Sequence, residues 1–131
     1  MNIVRKPILA LDFDGVLHSY SSRWQRNDII PDPPIDGAIE FLKVASETFE
    51  INIFSTRSNG GYAIPAMQRW LWKYAYEKYG NAAYDWYMDI IWALEKPPAH
   101  VLLDDRAMTF TGVFPDIQTL IDFEPWNRRD V

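Results

Sequence analysis

Residues 8–16, Ile8-Leu9-Ala10-Leu11-Asp12-Phe13-Asp14-Gly15-Val16, decide the fold. A short unbroken apolar run suits a strand buried on both faces, as in a parallel sheet. The run ends in two carboxylates one residue apart, and the glycine that follows lets the backbone turn away sharply. The C-terminal ends of parallel strands are where open α/β folds carry their chemistry. Two acids there can divide the work, one as nucleophile or metal ligand, the other as proton carrier. The plain alternative is a strand closed by an Asx-type turn.

Further along the chain, strand and helix patterns alternate. Residues 16–35 are polar and irregular and end in a proline-rich stretch, so they read as a flap. Asp36 is the expected N-cap of a helix to about Thr48, with Ile39, Phe41, Leu42 and Ala45 on its apolar face. Residues 50–54 read as a second strand, ending at Ser55-Thr56-Arg57. The spacing predicts a helix over 63–79, with Pro65 in its first turn and Ile64, Met67, Leu71, Tyr74 and Ala75 inward. Gly80-Asn81 stops it. Residues 88–94 read as a third strand and 100–103 as a fourth, ending at Asp104-Asp105. Asp116 is expected to cap a short helix to about Ile121. This alternation predicts an α/β fold: one Rossmann-like parallel sheet, helices on both faces, in one domain over residues 1–131. The stretch Glu95–Ala99 is too short for a helical crossover, so one of the last two strands must be misread or lie apart.

Composition narrows the function. The chain has 131 residues, with 6 Trp, 7 Tyr and 7 Phe, so material for one core is ample. A formal net charge of −5 argues against holding nucleic acid by bulk electrostatics. The absence of cysteine excludes disulfides, thiolate catalysis and Cys-based zinc sites. No leader pattern or membrane-length apolar run occurs, so a cytoplasmic protein without a membrane partner is expected.

Three strand ends carry reactive groups: Asp12/Asp14, Ser55/Thr56/Arg57 and Asp104/Asp105, with Lys96 shortly before the last pair. Parallel neighbours would bring them to one sheet edge. Four carboxylates there call for a cation, and hard oxygen ligands suit Mg²⁺. The hydroxyls and cations suit the phosphate half of such a site.

With these motifs in this order, the chain resembles the haloacid dehalogenase-like (HAD-like) superfamily of aspartate-nucleophile phosphatases. LDFDGV is similar to its first motif, FSTRS to its second, Lys96 before PPAH to its third and VLLDDR to its fourth. The resemblance implies that Asp12 attacks phosphorus and forms an aspartyl-phosphate, while Asp14 protonates the leaving oxygen and then activates water. It implies Mg²⁺ on Asp12, the Asp14 carbonyl and Asp105, with Asp104 orienting or water-mediated. Ser55 and Lys96 would hold the phosphoryl group. Val16 departs from the threonine common in the family. Eight residues from Lys96 to Asp104 leave no room for a cap, so a capless member is implied. The 3′-phosphatase domains of bacteriophage polynucleotide kinases are a closer likeness: Ser55-x-Arg57, Asp104-Asp105-Arg106, and Arg23 eleven residues after Asp12. That likeness implies a substrate role for Arg57 and Arg23 and a nucleic-acid 3′ end as substrate. No Walker A loop, hence no kinase half, is present in the sequence.

The expected function is therefore an Mg²⁺-dependent phosphatase acting on a phosphorylated substrate. A polynucleotide 3′-phosphatase and a non-catalytic binding or regulatory module of the same fold are the alternatives. The second keeps little force while both acids are present. His18 reads as a solvated flap residue, His100 as a strand-start residue that packs or caps, Arg106 as a structural ion-pair partner, and Trp126 as a tail anchor. Arg128-Arg129 reads as a solvated end. Trp72, Tyr76 and Tyr79 form a stripe on the long helix that suits burial first and a weak homodimer second.

Overall fold

The computed structural model describes residues 5–127, and Arg128-Arg129 lie outside them. The first strand, β1 (Ile8–Leu11), pairs in parallel with β2 (Glu50–Phe54) on one side and β4 (Val101–Leu103) on the other. β3 (Ile91–Ala93) pairs in parallel with β2, so the sheet order is β3-β2-β1-β4. Helix α1 (Ala38–Ala45) joins β1 to β2, and α2 (Ala63–Tyr79) leads from β2 towards β3. A 3₁₀ turn (Gly80–Ala83) and a short helix α3 (Tyr84–Met88) intervene before β3. The chain then passes through β4 to a five-residue helix, α4 (Ile117–Ile121).

Alternation along the strands divides the two sheet faces. Leu9, Leu11, Ile51 and Ile53 point into the core, where they meet Ile39 and Leu42 of α1, Met67, Trp70 and Leu71 of α2, and Trp86 of α3. The intervening residues Ala10, Asn52, Ile91 and Leu102 share the opposite side, and none belongs to that cluster. The helices that contribute to the core share one face, and α4, after β4, buries no residue.

Several element boundaries move for identifiable reasons. Gly37, at φ 87°, rather than Asp36, caps α1, because the entering chain turns through the left-handed region. Phe41 is exposed while Ala38, Ile39, Leu42 and Ala45 are buried. Trp70 joins the core of α2, whereas Ile64 and Tyr74 lie half-buried at its rim. The proposed strand over 88–94 shrinks to Ile91–Ala93, since Tyr84–Met88 continues as helix. The short last connection needs no helix. β3 and β4 occupy opposite edges, and seven residues, 94–100, can reach at most roughly 23 Å, enough to cross three strand spacings diagonally.

The flap is tied down at several points. The Ser22 N–H and hydroxyl donate to Asp32 at 2.7 and 2.5 Å, and the Trp70 indole N–H donates to the Asp32 carbonyl at 2.8 Å. His18 is fully buried, contrary to the solvated role expected for it. Its ring stacks on Phe13 and meets Trp70 edge-on. His100 is exposed, and its N–H donates to the Ile8 carbonyl where β4 begins. The aromatic stripe is largely used within the fold. Trp72 contacts Tyr76, Tyr84 and Tyr87, and Tyr79 contacts Trp86, leaving Tyr76 exposed. Among the described residues, no helix is long and apolar enough to cross a membrane.

Candidate active site

Asp12 directly follows β1 and Asp104 directly follows β4, in the continuation of the same register, so the two carboxylates leave neighbouring strand ends on one side. The Asp12 N–H donates to the Leu103 carbonyl at 2.9 Å and locks that juxtaposition. Asp105 is buried beside them, and Asp12, Asp104 and Asp105 each offer a ligand oxygen within 4.8 Å of the others. Gly15 makes this approach feasible. Its φ is +80°, and the Asp105 Oδ2 lies 2.2 Å from where a Cβ would stand. The tail closes over the same turn, with the Trp126 indole N–H donating to the Gly15 carbonyl at 3.0 Å, as its anchoring role requires.

Burial pushes the Asp12 carboxyl up from 3.8 to about 8, opposed by the Phe13 N–H it accepts; Asp104 and a hydrogen bond with Asp105 add to the rise. A carboxylate raised in this way, amid two others, fits a divalent cation that can take the place of the proton. The donor set is all oxygen, which suits a hard ion such as Mg²⁺ without selecting it over others.

Asp14 has a different environment. Its Oδ1 lies 2.8 Å from His18 Nδ1, and its Oδ2 accepts from Arg57 Nε at 2.8 Å. His18 Nε2 accepts the Asp32 N–H at 3.1 Å, so the imidazole proton resides on Nδ1 and points at Asp14. Arg57 is fully buried and its Nη1 reaches the carbonyls of Arg26, Asn27 and Ile29 at 2.8–3.1 Å. Arg57 thereby joins Asp14 to the flap, and its Nη2 is buried without a hydrogen-bond partner among the described residues.

A cavity of about 390 Å³ opens beside Asp12 and Asp14. Ser55, Thr56 and Asp104 line it, together with Tyr20, Trp24, Phe54, Asn59, Leu94 and Arg106. The Ser55 Oγ caps the 3₁₀ turn Thr56–Asn59 by accepting the Arg57 N–H at 3.1 Å, which leaves its hydroxyl hydrogen to donate elsewhere. Asp104 accepts the Arg106 N–H at 2.8 Å. Of the cations singled out in the sequence, Arg57 lies beneath the flap and Lys96 and Arg23 are exposed away from the cavity lining. Arg23 occupies a turn at φ 64°, its N–H donating to the Tyr20 carbonyl. Arg106, expected to be a structural ion-pair partner, also lines the cavity.

Sequence reasoning passed over Tyr20, Trp24, Asn59 and Leu94. The only signal for the first two was a pair of aromatics in an otherwise polar flap. Asp14, Ser55 and Arg57 come together, as do Asp12, Asp104 and Asp105. No family model, curated protein or solved structure matches the chain.

Proposed function

We propose that this protein is a metal-dependent phosphatase of the HAD-like type, hydrolysing phosphate monoesters through an aspartyl-phosphate on Asp12. The observation that carries the reading is the convergence of Asp12, Asp104 and Asp105 within 4.8 Å at the ends of two adjacent parallel strands, beside a cavity that also contains Ser55. Asp12, Asp104 and Asp105 would hold Mg²⁺, which supplies charge neutralisation and Lewis-acid polarisation of a phosphoryl oxygen.

An Asp12 carboxylate oxygen attacks phosphorus, the phosphorus–oxygen bond of the ester breaks, and the leaving oxygen receives a proton from Asp14. Water then attacks the same phosphorus and gives its proton to Asp14. Inorganic phosphate leaves and the Asp12 carboxylate is restored. Both Asp14 oxygens are engaged by Arg57 and His18, so carrying the proton requires Asp14 to give up one of those contacts. Ser55 donates to the transferring group, and Arg106 contributes positive charge at the cavity wall.

The narrower polynucleotide 3′-phosphatase reading took its substrate-binding roles from Arg23 and Arg57, and neither lines the cavity, although Asp104 and Arg106 of its fourth motif do. The broader reading is therefore preferred. Its test is hydrolysis of p-nitrophenyl phosphate by the purified protein. Activity should require Mg²⁺, stop on chelation, and vanish in Asp12→Asn with an unchanged circular dichroism spectrum. Full turnover by that variant would refute the assignment of the nucleophile.

A further inference from the structure

Trp24 lines the same cavity as Asp12 and is 52% exposed there, although it sits in a flap that is otherwise pinned to the core. Its ring lies 4.6 Å from the Arg57 guanidinium carbon, a cation–π contact. That guanidinium is itself immobilised by Asp14 and three flap carbonyls. One face of the indole is therefore held against the buried guanidinium, and the side chain is among those that line the cavity. Tyr20, Phe54 and Leu94 add apolar walls, while Asn59 adds a polar edge. Such a surface does little for a small polyhydroxylated leaving group. It suits a flat ring, which gains by stacking on an indole whose ordering cost has already been met within the fold.

Resting on the phosphatase reading above, we infer that the cavity is a leaving-group site selective for phosphate monoesters that carry a planar aromatic ring, with Trp24 as the stacking platform. Two chemistries share this feature. In aryl phosphates the ring is bonded next to the phosphate, and in nucleoside monophosphates a sugar separates them.

The experiment is calorimetric titration of the Mg²⁺-loaded wild-type protein with three non-hydrolysable phosphonates: benzylphosphonate, a nucleoside 5′-phosphonate and propylphosphonate. At least one ring-bearing ligand should bind about tenfold or more tightly than propylphosphonate. Which of the two does so identifies how far the ring stands from phosphorus. Trp24→Ala should abolish the preference, and Trp24→Phe should retain most of it. Equal affinity for all three ligands in the wild type overturns the inference, as does a ring preference that survives in Trp24→Ala. Either result leaves the phosphatase reading intact if p-nitrophenyl phosphate is still hydrolysed. Absence of both phosphonate binding and hydrolysis overturns the two together.

Discussion

In the absence of a cation, the stability of this fold should depend on pH through Asp12. Its carboxyl is raised from 3.8 to about 8, chiefly by burial, with Asp104 and Asp105 contributing. Between these values the folded chain keeps a proton that the unfolded chain has released. Stability from this group is then complete below about pH 4 and declines as pH rises through 8, above which both states are ionised. At ~1.4 kcal/mol per pH unit, the whole window corresponds to on the order of 5 kcal/mol, belonging to the Asp12–Asp105 pair because the two share a hydrogen bond. Urea unfolding in EDTA at pH 5 and pH 8.5 measures it as the difference between wild type and Asp12→Asn, since the amide cannot titrate. The wild type should lose several kcal/mol more than the variant over that range. Millimolar Mg²⁺ at pH 8.5 should restore the loss in the wild type by mass action. Parallel pH profiles for the two proteins, or no response to Mg²⁺, would refute the electrostatic reasoning.

Three other perturbations follow from the same geometry. Arg57→Ala leaves Asp14 and three flap carbonyls without their donor, so thermal or urea unfolding should show a loss of about 3–5 kcal/mol. Arg57→Lys should recover little of it, because an ammonium cannot span the fork, and near-wild-type stability in either variant would count against the clamp. Asp14→Asn should slow alkyl phosphates about a hundredfold more than p-nitrophenyl phosphate, whose leaving group needs little protonation. Equal losses would remove Asp14 from the acid role. Gly15→Ala places a methyl group on Asp105 at a φ of +80°, so Mg²⁺ binding measured by calorimetry should weaken at least tenfold, and unaltered affinity would show that the close approach is dispensable.

The amount of this architecture legible in the sequence differs from element to element. β2 and α2 were readable to their ends, because the β-branched Ile51 and Ile53 alternating with Glu50 and Asn52 and a long 3.6-residue periodicity closed by Gly80 leave little choice. The 88–94 segment was not. A short apolar run fits either a helix end or a strand, and only packing decides between them. The Asp12, Asp104 and Asp105 cluster was legible because strand-end acids converge whenever the strands are parallel neighbours. The burial of His18 and Arg57 was not, since the partners that accommodate them come from three separate stretches: Asp14, the flap with its carbonyls and Asp32, and Trp70. Arg57 leaves its expected position for the same reason. Proximity to a motif in sequence says little about which side of the flap a long side chain will take.

The pairing of β1 with β4 has a consequence for the order of events during synthesis. It joins residues 9–11 to residues 101–103, while the Trp126–Gly15 bond closes a loop of 111 residues. Contacts that distant in the chain form late, after the loop-closure entropy has been offset by the local β1-α1-β2-α2-β3 unit. The acidic cluster straddles this last seam, with Asp12 on one side and Asp104 and Asp105 on the other. A nascent or partly unfolded chain therefore lacks a competent cation site even where most of its sheet has formed. On the proposed function, metal affinity would report completed folding, and a bound ion would act as a late clasp on a chain that is already largely assembled.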